Sequence, residues 1–363
     1  MATHNPNNER VKHRYFAYLK EADRYSEASV DAAAKAIARF EESTGRREFR
    51  AFHIEQAIAF KRRLAEQRSQ KGDKKLSKAT LHSTLAHLKR FFHWLAGQPG
   101  YRRRLSYSDS NYFNLSEKEV RVATARREKA FPTIEQVKHV ITTMLTGSEA
   151  ERRNRALVAF ALLTGARDSA IASMKLKHVD LTNCSVHQDA REVKTKFSKT
   201  FTTVFFPVGD DIREILEAWV AYLRQDKLWG NDDPLFPATH VGVGEDHQFG
   251  IVGLKREHWR STGPIRAIFR DAFTVAGLPY FNPHSLRDTL VQLGERLCQT
   301  PEAFKSWSQN LGHEGVLTTF YSYGSVSRSR QRDIILGLAN PKATERLDEE
   351  RIAEAVARRL FSR

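Results

Sequence analysis

SKATLHSTLAHLKRFFHWLA, residues 77–96, sets the reading of the fold. Leu81, Leu85, Leu88, Phe92 and Leu95 recur at intervals of three and four, which places them on one stripe of an α-helix. Ser77 stands directly before the first helical residue, where its hydroxyl can accept a bond from an orphan backbone N–H. The other face carries Lys78, His82, His87, Lys89 and Arg90. That face is either solvated or laid against phosphates. Upstream, Asp31 to Glu41 is rich in alanine and charge, and HIEQAIAFKRRLAEQ (residues 53–67) has apolar residues at helical spacing. Residues 11–98 therefore read as a helical domain.

The chain beyond this helix loses its periodicity. GQPGYRRRLSYSDSNYFN, residues 97–114, combines turn residues with a basic triplet, Arg102, Arg103 and Arg104. Residues 99–130 are accordingly expected to be an interdomain linker, with the triplet available to a nucleic acid or serving solubility alone. Order resumes at Thr133, a plausible cap for IEQVKHVITTML. The apolar helix RALVAFALLTGA and its partner DSAIASMKLKHVD follow. Two β-like stretches, Cys184–Val193 and Phe201–Val208, flank the basic turn VKTKFSKT. The remainder reads as helical, apart from a loop-rich insertion at Gly230–Gly253. A second domain over 131–342 and a C-terminal helix or tail over 343–363, with Ile352, Val356 and Leu360 on one side, complete the expected layout. The fold class is mainly α with a small antiparallel β-sheet in the second domain.

Bulk composition bounds the function. The 363 residues are comfortable for two domains, and a hydrophobic content of 40% argues against wholesale disorder. Lys and Arg total 59 against 43 Asp and Glu, a formal charge of +16 that favours polyanionic partners. Cys184 and Cys298 lie too far apart in sequence for a Cys-x-x-Cys pair, which argues against a disulfide framework or structural zinc. The polar start MATHNPNNERVKHRYF lacks a signal-peptide core, and no run of about 18 apolar residues suggests a membrane span. The expectation is a cytoplasmic protein with no membrane partner.

Three segments of the second domain carry chemistry. LLTGARDSAIASMKLKHVDL (residues 162–181) puts Arg167 after a small-residue turn. NPHSLRDTL (282–290) holds His284 and Arg287 three apart, on one helical face. NLGHEGVLTTFYSYG (310–324) places His313 ahead of Tyr321 and Tyr323. Each is weak alone. Their order and spacing resemble the tyrosine recombinase/integrase family, whose pattern is an arginine in a Thr-Gly-x-Arg turn, a hairpin lysine, His-x-x-Arg, Leu-Gly-His and a C-terminal tyrosine. Thr164 to Arg167, the turn at 194–200, His284 to Arg287, Leu311 to His313 and the tyrosine pair match it in turn. The likeness covers residues 131–340, and residues 77–95 are similar to the family's core-binding helix.

The resemblance implies an N-terminal helical core-binding domain joined to a tyrosine recombinase catalytic domain. It implies site-specific cleavage and rejoining of DNA through a covalent 3′-phosphotyrosine, without metal, ATP or any other cofactor. Arg167 and Arg287 would bind the phosphate, since guanidinium groups are permanently charged and offer paired donors. His284 and His313 would donate hydrogen bonds or relay a proton. Lys196 would protonate the leaving oxygen, with Lys199 and then Lys194 as alternatives. The residue nine beyond His313, where the family's nucleophile usually lies, is Ser322. Tyr323 is preferred over Tyr321, because it closes a helix at Gly324. A second departure is Ala170, where relatives carry an acid. Support for Arg167 then falls to Asp168 or another group.

The expected partner is double-stranded DNA, bound by a homotetramer on paired sites and by a monomer or dimer off DNA. The DNA contacts would come from Lys78, His82, Lys89, Arg90 and the triplet Arg102 to Arg104. The C-terminal helix would dock on its own domain or on a neighbouring protomer. The competing readings are a DNA-binding protein that has lost catalysis and a topoisomerase IB-like nicking enzyme.

Overall fold

A computed structural model describes residues 4–68, 75–125, 130–243 and 248–313. The chain divides into two compact units at residue 126.

The first unit is helical: α1 (Pro6–Glu21), α2 (Glu27–Ser43), α3 (Ile54–Glu66), α4 (Lys78–Ala96) and α5 (Glu117–Thr124). Local chemistry explains where several begin. Asn5, Ser26, Ser77 and Ser116 each accept a backbone N–H at a helix start. The apolar stripe of α4 is buried in the core throughout, as its spacing predicts. Phe40 of α2 anchors that core, with its ring 5.2 to 6.1 Å from those of Phe52, Phe60, Phe92 and Phe113. A buried amide stitches the helix ends together. Asn8 Nδ2 donates to Glu41 Oε1 at 2.9 Å and to the Arg47 carbonyl at 3.0 Å, and Asn8 Oδ1 accepts from the Phe49 N–H.

Residues 99–125 differ from the expected linker. They fold onto the first unit: Tyr101, Leu105 and Phe113 enter its core, residues 107–113 form a 3-10 turn, and α5 packs on α4. The apolar anchors are too irregularly spaced to register as a period. The polar residues between them are used locally, as where Ser106 and Asp109 cap the 3-10 turn.

The second unit is built around a helix whose C-terminal half is buried on every side. Its elements are α6 (Ile134–Thr143), α7 (Glu149–Thr164), α8 (Asp168–Ile171), β1 (Val179–Asp180), β2 (Ser185–Gln188), β3 (Phe201–Val204), α9 (Asp210–Ala221), β4 (Thr239–Val243), β5 (Phe249–Leu254), α10 (Gly263–Val275), α11 (Ser285–Leu297) and α12 (Pro301–Asn310). Residues 156–164 of α7 are all buried, and the helix packs against α6, α9, α11 and β5. A helical stretch apolar on every face must be surrounded, so α7 organises the unit.

β1, β2 and β3 form an antiparallel sheet in that order, which leaves β3 on an edge. The strands are shorter than the β-like stretches in sequence. Cys184 turns into left-handed backbone before β2, and Pro207 follows β3. The expected loop-rich insertion holds the antiparallel hairpin β4–β5, whose glycines masked its alternation in sequence. No described helix is long and apolar enough to cross a membrane.

Phe40→Ala is expected to lower the unfolding free energy by about 3–5 kcal/mol through the cavity it leaves. Urea unfolding followed by circular dichroism measures this, and a loss under about 1 kcal/mol would contradict the packing described.

Candidate active site

The site begins where α7 ends. Thr164 Oγ1 donates to the Phe160 carbonyl at 2.7 Å and accepts from the Ala166 N–H at 3.1 Å. Gly165 then turns the chain with φ +60°. A Cβ at Gly165 would lie 2.9 Å from Leu311 and 3.0 Å from Leu290, so both the backbone angle and the close packing require glycine. The turn sets Arg167, half-buried, at the N-terminal boundary of α8.

Arg287, on the first turn of α11, is 2% exposed. Its Nη1 donates to the Gly165 carbonyl at 2.6 Å. Its Nη2 donates to the Leu311 carbonyl at 2.6 Å and to His313 Nε2 at 2.8 Å. One guanidinium therefore ties together all three sequence motifs. Because a guanidinium can only donate, His313 Nε2 must offer its lone pair, which puts the imidazole proton on Nδ1. Burial pushes the His313 pKa down to about 4, and the charges of Arg287, Arg167, His284 and Lys196 push the same way. Of these groups Arg287 contacts His313 directly, while Arg167, His284 and Lys196 act on it through their charge. His284 is exposed at the N-terminal boundary of α11, while Arg287 points inward, so the two do not share a solvent face.

The lysine turn is held at its base and open at its tip. Ser169 Oγ donates to the Lys194 carbonyl at 3.0 Å, the Lys194 N–H donates to Ser173 Oγ at 2.9 Å, and Thr195 Oγ1 donates to the Lys199 carbonyl at 2.8 Å. Lys196 is exposed, with Nζ 4.8 Å from the Phe197 ring centre; Lys199 Nζ lies 6.0 Å away. Phe197 is 77% exposed and, like Ser198, has left-handed backbone, at φ +60° and +50°. A bulky residue in that region is strained, and sequence reading had no signal for it.

Asp168, the candidate support for Arg167, accepts from Arg266 of α10 at 2.9 and 2.7 Å through one carboxylate oxygen. Ala170 is buried, so its methyl group occupies core. Tyr321, Tyr323 and the expected C-terminal helix lie outside the described residues.

In the first unit the proposed DNA-contacting residues do not share one face. Lys78, His82 and Lys89 follow one stripe of α4. His82 and Lys89 line a cleft of about 250 Å³ whose far wall includes Asn114, Leu115 and Val120. Arg90 lies about 100° further round the helix, its guanidinium 4.8 Å from the Tyr25 ring centre. Arg102 Nε donates to the Gly97 carbonyl at 2.7 Å, and Arg103 and Arg104 are exposed between the buried anchors Tyr101 and Leu105. A cavity of about 490 Å³ in the second unit, bordered by Arg152, Trp219 and Tyr222, shares no lining residue with the His313 cluster. The chemistry of the cluster suits a phosphate met at a surface, which needs no enclosed pocket.

The model of the phage integrase family matches residues 131–329. A tyrosine recombinase XerC of Lactobacillus delbrueckii subsp. bulgaricus is 26% identical over 256 residues, covering 69% of this chain and 74% of that protein. In fold, the chain is similar to a lambda integrase dimer bound to a COC′ core site, at TM-score 0.60. Identity there is 13%, over 88% of this chain and 96% of that one. The Tn1549 transposon integrase in complex with transposon right end DNA has TM-score 0.56 and 14% identity, over 91% of this chain and 99% of that one.

A His313 titration followed by NMR should show a midpoint near pH 4, against 6.5 for an ordinary histidine. The unfolded chain then takes up the proton first as pH falls. The stability associated with neutral His313 is complete above about pH 6.5 and is lost towards pH 4, and His313→Gln should flatten that part of the stability profile. A midpoint at or above 6.5 would contradict the Arg287–His313 geometry.

Proposed function

The chain belongs to the phage integrase family of tyrosine recombinases, and from that premise we propose that it cleaves and rejoins specific DNA sites through a covalent 3′-phosphotyrosine. The observation that supports this reading is the positive charge of Arg167, Lys196, His284 and Arg287 acting on His313. Arg287 donates to the half-buried imidazole, and the charges of Arg167, His284 and Lys196 act on it in the same direction, so an anion arriving there would meet positive potential. A phosphodiester supplies that anion and gains further charge on its non-bridging oxygens as the nucleophile attacks.

The residues divide the work according to their surroundings. Arg287 has its terminal nitrogens engaged with Gly165, Leu311 and His313, so it contributes charge and holds the turns in place. Arg167, half-buried at the start of α8, makes the direct paired contact with the phosphate. Neutral His313 donates from Nδ1 to a non-bridging oxygen. His284, exposed beside it, donates a second bond or takes the phenol proton.

Tyr323 is the nucleophile in this proposal and Tyr321 the alternative. The phenolate oxygen forms a bond to phosphorus as the bond to the 5′-oxygen breaks, and Lys196 supplies the proton that oxygen takes up. Rejoining reverses the step: a 5′-hydroxyl attacks the phosphotyrosine and the phenol leaves. The bond energy is kept in the covalent link, so neither ATP nor a metal is invoked. The partner is double-stranded DNA, held by α4 and the basic triplet as well as by the catalytic unit, with a homotetramer pairing two sites. The net charge of +16 suits this partner.

Nicked suicide substrates drawn from the DNA flanking the gene test the reading, by formation of an SDS-resistant adduct without metal or ATP. Tyr323→Phe should abolish the adduct and Tyr321→Phe should keep it; the reverse would transfer the nucleophile's role. Arg167→Ala should slow adduct formation by about 10²–10³-fold while mobility shifts still show binding. Specific binding with no adduct from the wild-type protein would defeat the proposal.

A further inference from the structure

The sheet that carries the lysine turn ends on β3, and that edge is closed by a side chain. The Val204 N–H donates to Asn310 Oδ1 at 2.8 Å, and Asn310 Nδ2 donates back to the Val204 carbonyl at 2.8 Å. One carboxamide thus imitates the next strand of the sheet. Both partners are backbone groups of fixed character, so the oxygen and nitrogen of the amide can be assigned without ambiguity. Two more contacts act beside it. Thr203 Oγ1 donates to the Asn310 carbonyl at 3.0 Å, and a Cβ on Gly312 would come within 2.7 Å of the Phe201 ring. Residues 201–204 are therefore seated against residues 310–312.

What stands at either end of this junction gives it a role beyond edge protection. Phe201 begins five residues after Lys196, and Asn310 ends α12 three residues before His313. We infer that Asn310 is a positioning residue that keeps the lysine turn in register with the His313 turn, so that proton donor and phosphate-binding groups meet the same phosphodiester. The inference rests on the recombinase reading above. Among side chains of this length, asparagine alone presents a donor and an acceptor in the plane needed to pair both backbone groups of one residue. Aspartate presents two acceptors and sets one against the Val204 carbonyl. Leucine presents neither.

The test separates proton delivery from phosphate binding. A suicide substrate whose 5′-bridging oxygen at the cleavage site is replaced by sulfur releases a thiolate, which leaves without being protonated. Thiols have pKa values of about 8.5, far below those of alcohols. On the ordinary substrate, Asn310→Leu should slow adduct formation about 10- to 100-fold, the size of effect a misplacement of about 1 Å produces. On the sulfur substrate it should return to near the wild-type rate, as should Lys196→Ala, while Arg167→Ala stays slow on both. Asn310→Asp provides the second variant. Its rate on the ordinary substrate should recover as pH falls, because the protonated carboxyl can again donate to Val204. The inference is overturned if Asn310→Leu is equally slow on both substrates while DNA binding persists. It also fails if Asn310→Leu matches wild type on the oxygen substrate. Wild-type protein that forms no adduct with either substrate overturns the recombinase reading itself, a result distinct from both.

Discussion

The buried guanidinium of Arg287 is the interaction on which the second unit's geometry depends. A charge removed from water costs several kcal/mol unless it is closely partnered. Here the partners include two main-chain carbonyls, from Gly165 and Leu311, and the lone pair of His313. Those carbonyls belong to turns far apart in sequence, so solvating one cation requires both turns to be in place. The glycines serve the same end. Gly165 and Gly312 adopt left-handed backbone, with φ +60° and +72°, at points where a side chain would collide with Leu311, Leu290 or Phe201.

That arrangement also governs the charge state of the site. With Arg287 donating to Nε2, a proton on that nitrogen would set donor against donor, and the surrounding positive groups oppose it further. The imidazole stays neutral and keeps its proton on Nδ1. Positive charge therefore collects at this turn without a proton on the imidazole. The buried half of α7 makes this tolerable by anchoring the Thr164–Gly165 turn in a packed core.

Two departures from the sequence reading have the same origin. The segment 99–125 was expected to link two domains because its turn residues interrupt any period, yet Tyr101, Leu105 and Phe113 fasten it to the first core. The segment 230–253 was expected to be loop, yet it contains β4 and β5. In both, turn residues or glycines interrupted the period: the anchors of 101–113 pack into the first core, and β4 and β5 pair with each other. The lysine turn shows the converse: its position between two strands was legible, but the strained, exposed tip at Phe197 was not.

Local rules acting over three or four residues determined much of this protein from sequence alone. They include the stripe of α4, the caps at Ser77 and Thr133, the Thr-Gly turn before Arg167, and the order of motifs that marks the family. Tertiary structure decided which atoms of those motifs meet. Arg287 reaches a carbonyl 122 residues away, and Asn310 closes a strand 106 residues away. Nor could sequence show that Asp168 pairs with Arg266, or that His82 and Lys89 face residues 114–120. Periodicity and capping are properties of a single element and can be read along the chain. A contact between distant elements depends on how unlike surfaces pack, and no spacing within either one records it.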